Sequence, residues 1–431
     1  MTSRPALPPR SPTSPAPSSG APERLSVWDH AKREWLLCIA VVLALVLAVA
    51  DPQPGERYLE WLDGPTLAGL FALLVATQAV RRSGYVQAAA WQLTDRMTSL
   101  RGLALALAAG AAVSSMLLTN DVSLFLLVPL TLAIAQTLDL PDPVRRRMVI
   151  VLAFAVNAGS MLSPIGNPQN LLIWQVSGVD AWHFVLWMLP ACAVNMVALA
   201  LFILLAFPSK SAALSAAASD SKTASTTTAT STATSTKASA ATITATRGGP
   251  ARAAREDTPR KPALALTAAA MLIATIVLLQ AGHAYVAGLV AALLFLVVDR
   301  TSLRQVDWAL LATFAALFIG LGHLADWGPV QALARQVDWA HRLTLFASGA
   351  GLSQIISNVP ATVFLSQFTK EWQTLLIAVN VGGYGLAIGS MANLIALRLE
   401  GSKRIWWDFH VYSVPFFVVV AAATYAIAVG I

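Results

Sequence analysis

The side chains able to do chemistry gather in four nearly uncharged stretches, 102–138, 148–179, 343–369 and 372–397. They hold Asn120, Asn157, Asn167, Asn170, Asn358, Asn380 and Asn393, and each amide offers both donors and an acceptor. Thr119, Ser160, Ser163, Ser357 and Ser390 add hydroxyls, while Gly159, Gly166, Gly382, Gly383, Gly385 and Gly389 allow the backbone to turn and approach a ligand. No Lys or Arg lies deep in these stretches. The set suits a small anion or oxyanion together with a monovalent cation. Of the 22 acidic residues, Asp121 alone is sunk in a long uncharged run, where an ionisable group is expensive and usually functional. It would bind a coupling cation or carry a coupling proton; the blander role is a helix cap.

The elements that must position these groups are membrane helices. The 431-residue chain is 56% hydrophobic and only 12% charged, with a mean hydropathy of +0.64. A soluble domain is about 25% charged, so an ordinary cytosolic enzyme and a disordered protein are both excluded. The net charge of +7 does not mark a nucleic-acid binder, because the basic residues fall between apolar runs. Helical spans are expected at about 35–50, 62–80, 185–206, 263–281, 283–298, 308–325 and 410–430. Stretches 102–138 and 343–369 read as helical hairpins that enter and leave on one side, and 148–176 and 372–398 as single crossings with non-helical middles. Irregular backbone at membrane depth needs protein or a water-filled cavity to satisfy it, so each break is a candidate site.

A Pro-rich arm (1–34) and a Ser/Thr/Ala-rich segment (207–262) are expected to be disordered; the second links a membrane half at 35–206 to another at 263–431. Ala48-Val49-Ala50 before Asp51 mimics a signal-peptidase site, but the long arm and the later spans favour an uncleaved first helix. Cys38 and Cys192 sit in separate apolar runs and form neither a disulfide framework nor a metal motif. With the N-terminus cytoplasmic, only Arg57, Arg335, Arg342 and Lys370 fall in outer segments, so nine crossings and a periplasmic C-terminus are expected.

The two halves repeat. Asn157, Gly159, Ile165, Gly166, Asn170 and Leu171 coincide at one offset with Asn380, Gly382, Ile388, Gly389, Asn393 and Leu394. Upstream, Thr119-Asn120-Asp121 answers Ser357-Asn358-Val359, and the segment from Gly84 to Ala90 answers that from Gly328 to Ala334. The repeats, about 60–206 and 304–430, begin on opposite sides in the crossing count. The expected fold class is therefore an all-α polytopic membrane protein of two inverted repeats, each with a re-entrant helical hairpin and a broken transmembrane helix. Secondary transporters are built this way, with the site near the midplane.

Asn120-Asp121-Val-Ser, Ser163-Pro164-Ile-Gly-Asn-Pro-Gln-Asn170 and Ser357-Asn-Val-Pro-Ala361 resemble the ion transporter superfamily. That group includes citrate-transporter-like permeases, divalent anion–sodium symporters, arsenite efflux permeases and one set of sodium–proton antiporters. The resemblance implies an elevator-like transport domain beside a scaffold that often dimerises. It also implies substrate and ion binding by the residues named above with Pro164 and Thr362, and sodium near Asp121, Asn120, Asn167 and Asn358. Two departures weigh against di- or tricarboxylates: the tips lack Ser-Asn-Thr, and no buried cation could pair extra carboxylates. Neutral or singly charged oxyanions remain open, and the Asn-Asp tip leans toward the arsenite branch.

The expected protein is thus a transporter of a small anion or oxyanion in the bacterial inner membrane. Sodium or protons would couple it, with no cofactor and no catalytic residue. Sodium–proton antiport and arsenite-type efflux are the alternatives within transport; a channel and a membrane-embedded enzyme are those outside it. Gly383-Tyr384-Gly385 mimics a potassium filter without the pore-loop context, and the histidines show no HExxH or triad setting.

Overall fold

The computed structural model describes residues 35–85, 88, 99–207 and 260–430. The arm 1–34, the linker residues 208–259 and part of the 84–90 repeat match lie outside these described residues. Among the described residues every regular element is helical. In chain order they are α1 (Trp35–Ala50), α2 (Gly55–Trp61), α3 (Gly64–Arg82), α4 (Leu100–Leu117), α5 (Asn120–Thr137), α6 (Asp142–Ser160), α7 (Pro168–Ser177), α8 (Ala181–Ala206) and α9 (Pro262–Gln280). There follow α10 (Ala284–Val298), α11 (Arg300–Arg304), α12 (Trp308–Asp326), α13 (Gly328–Ala334), α14 (Arg342–Ile356), α15 (Asn358–Leu365), α16 (Trp372–Val381), α17 (Met391–Glu400) and α18 (Lys403–Thr424).

Local chemistry sets many of the boundaries. Asp63, Ser99, Asn167, Asp180 and Asp307 cap helix starts by accepting from a backbone N–H one or two residues inside the helix. Pro168 and Pro262 occupy first helical positions, where no amide hydrogen is needed. Gly178 (φ +67°) and Gly401 (φ +82°) end α7 and α17 in the left-handed region. The Asp180 cap starts α8 at Ala181, four residues before the expected span, and α18 likewise starts well before residue 410.

Among the described residues six helices are long and apolar enough to cross a membrane: 64–82, 100–117, 181–206, 262–280, 308–326 and 403–429. Their exposure sorts them. The apolar windows of 181–206, 262–280 and 403–429 are at most 33% buried and present most of their surface outward, whereas those of the other three are at least half buried. The deepest core belongs to the broken segments: residues 148–160 of α6 and 374–381 of α16 are all buried.

Two packing groups result. In one, α1 lies on α12, and α9 and α10 lie on α3. In the other, α6 packs on α4, α5, α8 and α17, and α14 packs on α15 and α16. Contacts of α12 with α15 and of α3 with α7 join them. The chain halves interlock, since α1 from the first packs on α12 from the second. Arginines fasten one end of the second group. Arg145 meets Glu400 at 3.1 Å and Arg146 meets Asp408 at 2.6 Å. Arg147 donates to the Ala206 carbonyl at 2.6 Å.

Candidate functional site

Both breaks expected from the sequence are present. After α6 the chain turns through 161–167 before α7; after α16 it turns through 382–390 before α17, with a short 3-10 turn at Ala387–Gly389. Each break must satisfy backbone carbonyls that a helix would have paired. In the first, the Asn170 amide donates to the carbonyls of Ser160, Met161 and Ser163 at 3.1, 3.2 and 2.9 Å. In the second, Gln354 donates to the Gly382 carbonyl and accepts from the Leu386 N–H, both at 2.7 Å. Asn393 donates to the Gly383 carbonyl at 2.8 Å.

The breaks are also tied to each other by a reciprocal pattern. Asn157 donates to Asn393 Oδ1 (3.0 Å) and accepts from Ser390 Oγ (3.2 Å). Asn380 donates to Asn170 Oδ1 (2.7 Å) and accepts from Asn167 Nδ2 (3.0 Å). The offset that aligns Asn157 with Asn380 aligns Ser390 with Asn167 and Asn393 with Asn170, so the second pair of bonds is the first with the halves exchanged. All six side chains are buried. The 3.2 Å bond from Asn167 to Ser160 Oγ completes the group.

The starts of α5 and α15 meet this network. The Asn120 N–H donates to the Gly166 carbonyl at 3.0 Å, pinning the start of α5 to the first break. Asn358 begins α15, and its amide lies near Gly383. Thr119 and Ser357 precede these two helices, and the hydroxyl of each is buried without a hydrogen-bond partner among the described residues. Ser357 holds φ +76° and ψ 155°, a region that is almost exclusively glycine's and costs a side-chain-bearing residue about 1–3 kcal/mol.

A small cavity lies where the starts of α5, α7 and α15 and the second break converge on the other packing group. Asn120 and Asp121 line it from α5, Pro168 and Gln169 from α7, Asn358 and Val359 from α15, and Ser390 from the second break. Leu310, Thr313 and Leu317 of α12 close the far side. Its volume of about 20 Å³ admits about one water molecule. Among the described residues no Lys or Arg lines it.

The remaining expected site residues have other placements. Gly159 and Gly382 make close helix contacts: a Cβ on the first would lie 2.2 Å from the Ala112 carbonyl oxygen, and on the second 2.5 Å from Ser353 Cβ. Gly166, Gly383 and Gly389 sit within the two turns, folded against Ser160, Asn380 and Gly382. Ser163 and Pro164 form the first turn, with Ser163 Oγ accepting from the Ile165 N–H at 3.3 Å. The Thr362 hydroxyl donates to the Asn358 carbonyl at 2.7 Å. Tyr384 is fully buried against Phe154 and Phe416, a core side chain.

Gln169, Thr313 and Gln354 were not expected. Gln169 sits inside the Pro-Gln-Asn run already singled out, and Thr313 is the polar residue in the otherwise apolar start of α12. Each carries a weak signal; Gln354 acquires its role only by reaching across to residues 382 and 386.

Comparison with known proteins gives the family. Residues 25–373 match the family described as citrate transporter. The chain belongs to the citrate transporter family. It is 33% identical over 395 residues to inner membrane protein YbiR of Escherichia coli, covering 91% of this chain and 94% of that one. Uncharacterized transporter MJ0456 of Methanocaldococcus jannaschii is 27% identical over 373 residues, 86% and 90% of the two chains. A shorter match, 30% over 157 residues, joins 36% of this chain to 32% of the silicon efflux transporter LSI3 of Oryza sativa subsp. japonica. Family membership and the apolar helices make this a multi-pass membrane protein of a transporter family.

Proposed function

We propose that the protein is a secondary active transporter of a small oxyacid or oxyanion, coupled to a sodium or proton gradient. In this reading the halves are inverted repeats, 119 and 357 mark the tips of two re-entrant hairpins, and α4–α8 with α14–α18 move as a unit past the other helices. The protein lies in a bacterial inner membrane, N-terminus cytoplasmic and C-terminus periplasmic, as a homodimer.

The observation that carries the reading is the reciprocal pairing of Asn157 with Asn393 and of Asn380 with Asn170, beside two buried hydroxyls at Thr119 and Ser357 that have no partner among the described residues. A repeat related by a two-fold axis gives reciprocal bonds of this kind, and transporters with broken helices bind at such an axis. Buried hydroxyls without a partner are costly unless a ligand or water completes them. Hydroxyls, amides and helix starts would hold an oxyacid, while Asp121 with Asn120, Asn167 and Asn358 supplies oxygens for sodium or a site for a proton. Among the described residues the cavity has no cationic side chain, and it lacks room for citrate, which favours a neutral or singly charged substrate despite the family's name. The match to a silicon efflux transporter makes export of an uncharged hydroxylated acid the second reading.

The test is transport by the purified protein in liposomes. Arsenite, silicic acid, phosphate, sulfate and citrate would be offered under imposed sodium or pH gradients. Gradient-driven movement of one oxyacid, abolished or uncoupled by Asp121→Asn, is expected. Transport of citrate alone, with Asp121→Asn unaffected, would overturn both the substrate class and the role of Asp121.

A further inference from the structure

A second cavity, of about 380 Å³, lies between the same two packing groups. Glu60, Asp63, Tyr285 and Gln367 give it polar walls, and its floor includes Phe318. It shares three helices with the small polar cavity, in a consistent order. On α7 the small cavity takes Pro168 and Gln169 and the large one takes Leu172 and Val176. On α15 the small one takes Val359 and Pro360 and the large one Val363 and Ser366. On α12 the small one ends at Leu317 and the large one begins at Phe318. One helical turn, about 5.4 Å, therefore separates the two spaces on α7 and α15.

Five of the lining residues that flank this turn are apolar and buried. Leu172, Leu317, Phe318, Val359 and Val363 are each no more than 8% exposed. Phe314 backs Phe318, with ring centroids 6.0 Å apart. Of the five, Phe318 carries the largest side chain. A hydrated solute cannot cross such a ring without shedding water or displacing the ring.

We propose that the large cavity is the vestibule of the translocation route and that Phe318 is its plug, the residue that sets how large a solute reaches the small polar cavity. The proposal rests on the transport reading in one respect, that the small cavity holds the substrate. The plug itself is tested without any transport measurement.

The test is thiol labelling in membrane vesicles of both orientations. Cys38 and Cys192 would be replaced by Ala, and Thr313→Cys would report on the small cavity. Gln367→Cys, in the vestibule, identifies the side from which that cavity is reached. A membrane-impermeant methanethiosulfonate from that side should label Gln367→Cys rapidly and Thr313→Cys slowly. Adding Phe318→Ala should raise the Thr313→Cys rate at least about tenfold from that side alone, and Phe318→Trp should not raise it. Leu310→Ala, which enlarges the small cavity away from the vestibule, is the control for general loosening. An unchanged rate in Phe318→Ala overturns the plug, and so does equal acceleration by Leu310→Ala or from both sides. If labelling behaves as expected but no oxyacid is transported, the route stands and the substrate reading fails.

Discussion

Ser357→Gly should make the protein more stable and a poorer binder at once. The native φ of +76° with ψ 155° is open to glycine and strained for serine, so the exchange releases about 1–3 kcal/mol. Glycine returns about 0.4–1 kcal/mol through the greater freedom of the unfolded chain. The Ser357 hydroxyl is buried and unpartnered among the described residues, so its removal breaks no hydrogen bond there. At the middle of both ranges the net gain is about 1.3 kcal/mol, which raises the melting temperature by roughly 1–2 °C in a chain of this size. Thermal unfolding of detergent-purified protein, followed by tryptophan fluorescence, would measure it. Ser357→Ala is the companion: it removes the hydroxyl but keeps the strain, and should gain little. If the tip hydroxyl contacts the substrate, both variants lose the ligand-dependent rise that binding to the folded state produces in the parent. Equal melting temperatures for Ser357→Gly and Ser357→Ala would refute the reasoning from backbone strain, and a full ligand shift in both would refute the hydroxyl's role.

Asn170→Ala and Asn380→Ala should each cost about 1–3 kcal/mol, since each strands a buried partner. The double variant should cost less than their sum by about 1 kcal/mol or more, and additivity in denaturation midpoints would mean that the 2.7 Å bond is energetically idle. Gly159→Ala should destabilise by about 2 kcal/mol or more, because its Cβ would press within 2.2 Å of a backbone oxygen; Gly55→Ala, with nothing within 4 Å, should be close to neutral in the same assay. Asp299 lies outside the spans, where burial opposes its charge but hydrogen bonds from Arg82 and Ser302 outweigh it and hold its pKa below the ordinary 3.8. A depressed carboxylate pKa contributes stability that is present above the ordinary value and lost as pH falls through the folded one. Arg82→Gln removes the charged donor at 2.9 Å, so acid unfolding should begin at a higher pH than in the parent; coincident acid profiles would count against the pair.

Much of this molecule is legible in its sequence because the membrane simplifies the rules. A 19-residue apolar run such as 262–280 has few options besides a helix, and a break within one is conspicuous against it. Asn157, Asn167, Asn170, Asn380, Ser390 and Asn393 could be singled out because amides and hydroxyls are rare in such surroundings and recur at one offset. Which amide pairs with which could not be read, since the partners lie more than 200 residues apart and only the packed helices bring them together. Gln354 and Thr313 were hidden for a related reason. A single polar residue on an apolar helix is usually satisfied by its own backbone, as the Thr313 hydroxyl is by the Ala309 carbonyl at 2.7 Å.

The glycines divide along the same line, and they explain why the repeat outlasts its chemistry. Gly159 and Gly382 coincide in the repeat and both admit a close helix crossing, against Ala112 and Ser353, so their likeness reflects packing. Among the positions that line the cavity, Asn120 and Asn358 match, whereas Asp121 opposes Val359 and Pro168 opposes Met391. Packing constrains both halves alike because each broken helix needs the same turn and the same close neighbour. The cavity has no such symmetry requirement, because its occupant need not be two-fold symmetric. A change that restores likeness there, such as Val359→Asp, would place a second ionisable group beside Asp121 in a space of about 20 Å³. Two like charges so confined cannot both remain ionised at low cost, so one would hold a proton or draw in a cation. Tighter sodium binding, or a sodium-dependent melting shift larger than in the parent, is therefore expected of that variant. A melting profile indifferent to sodium and pH would mean that residue 359 does not share the cavity with Asp121.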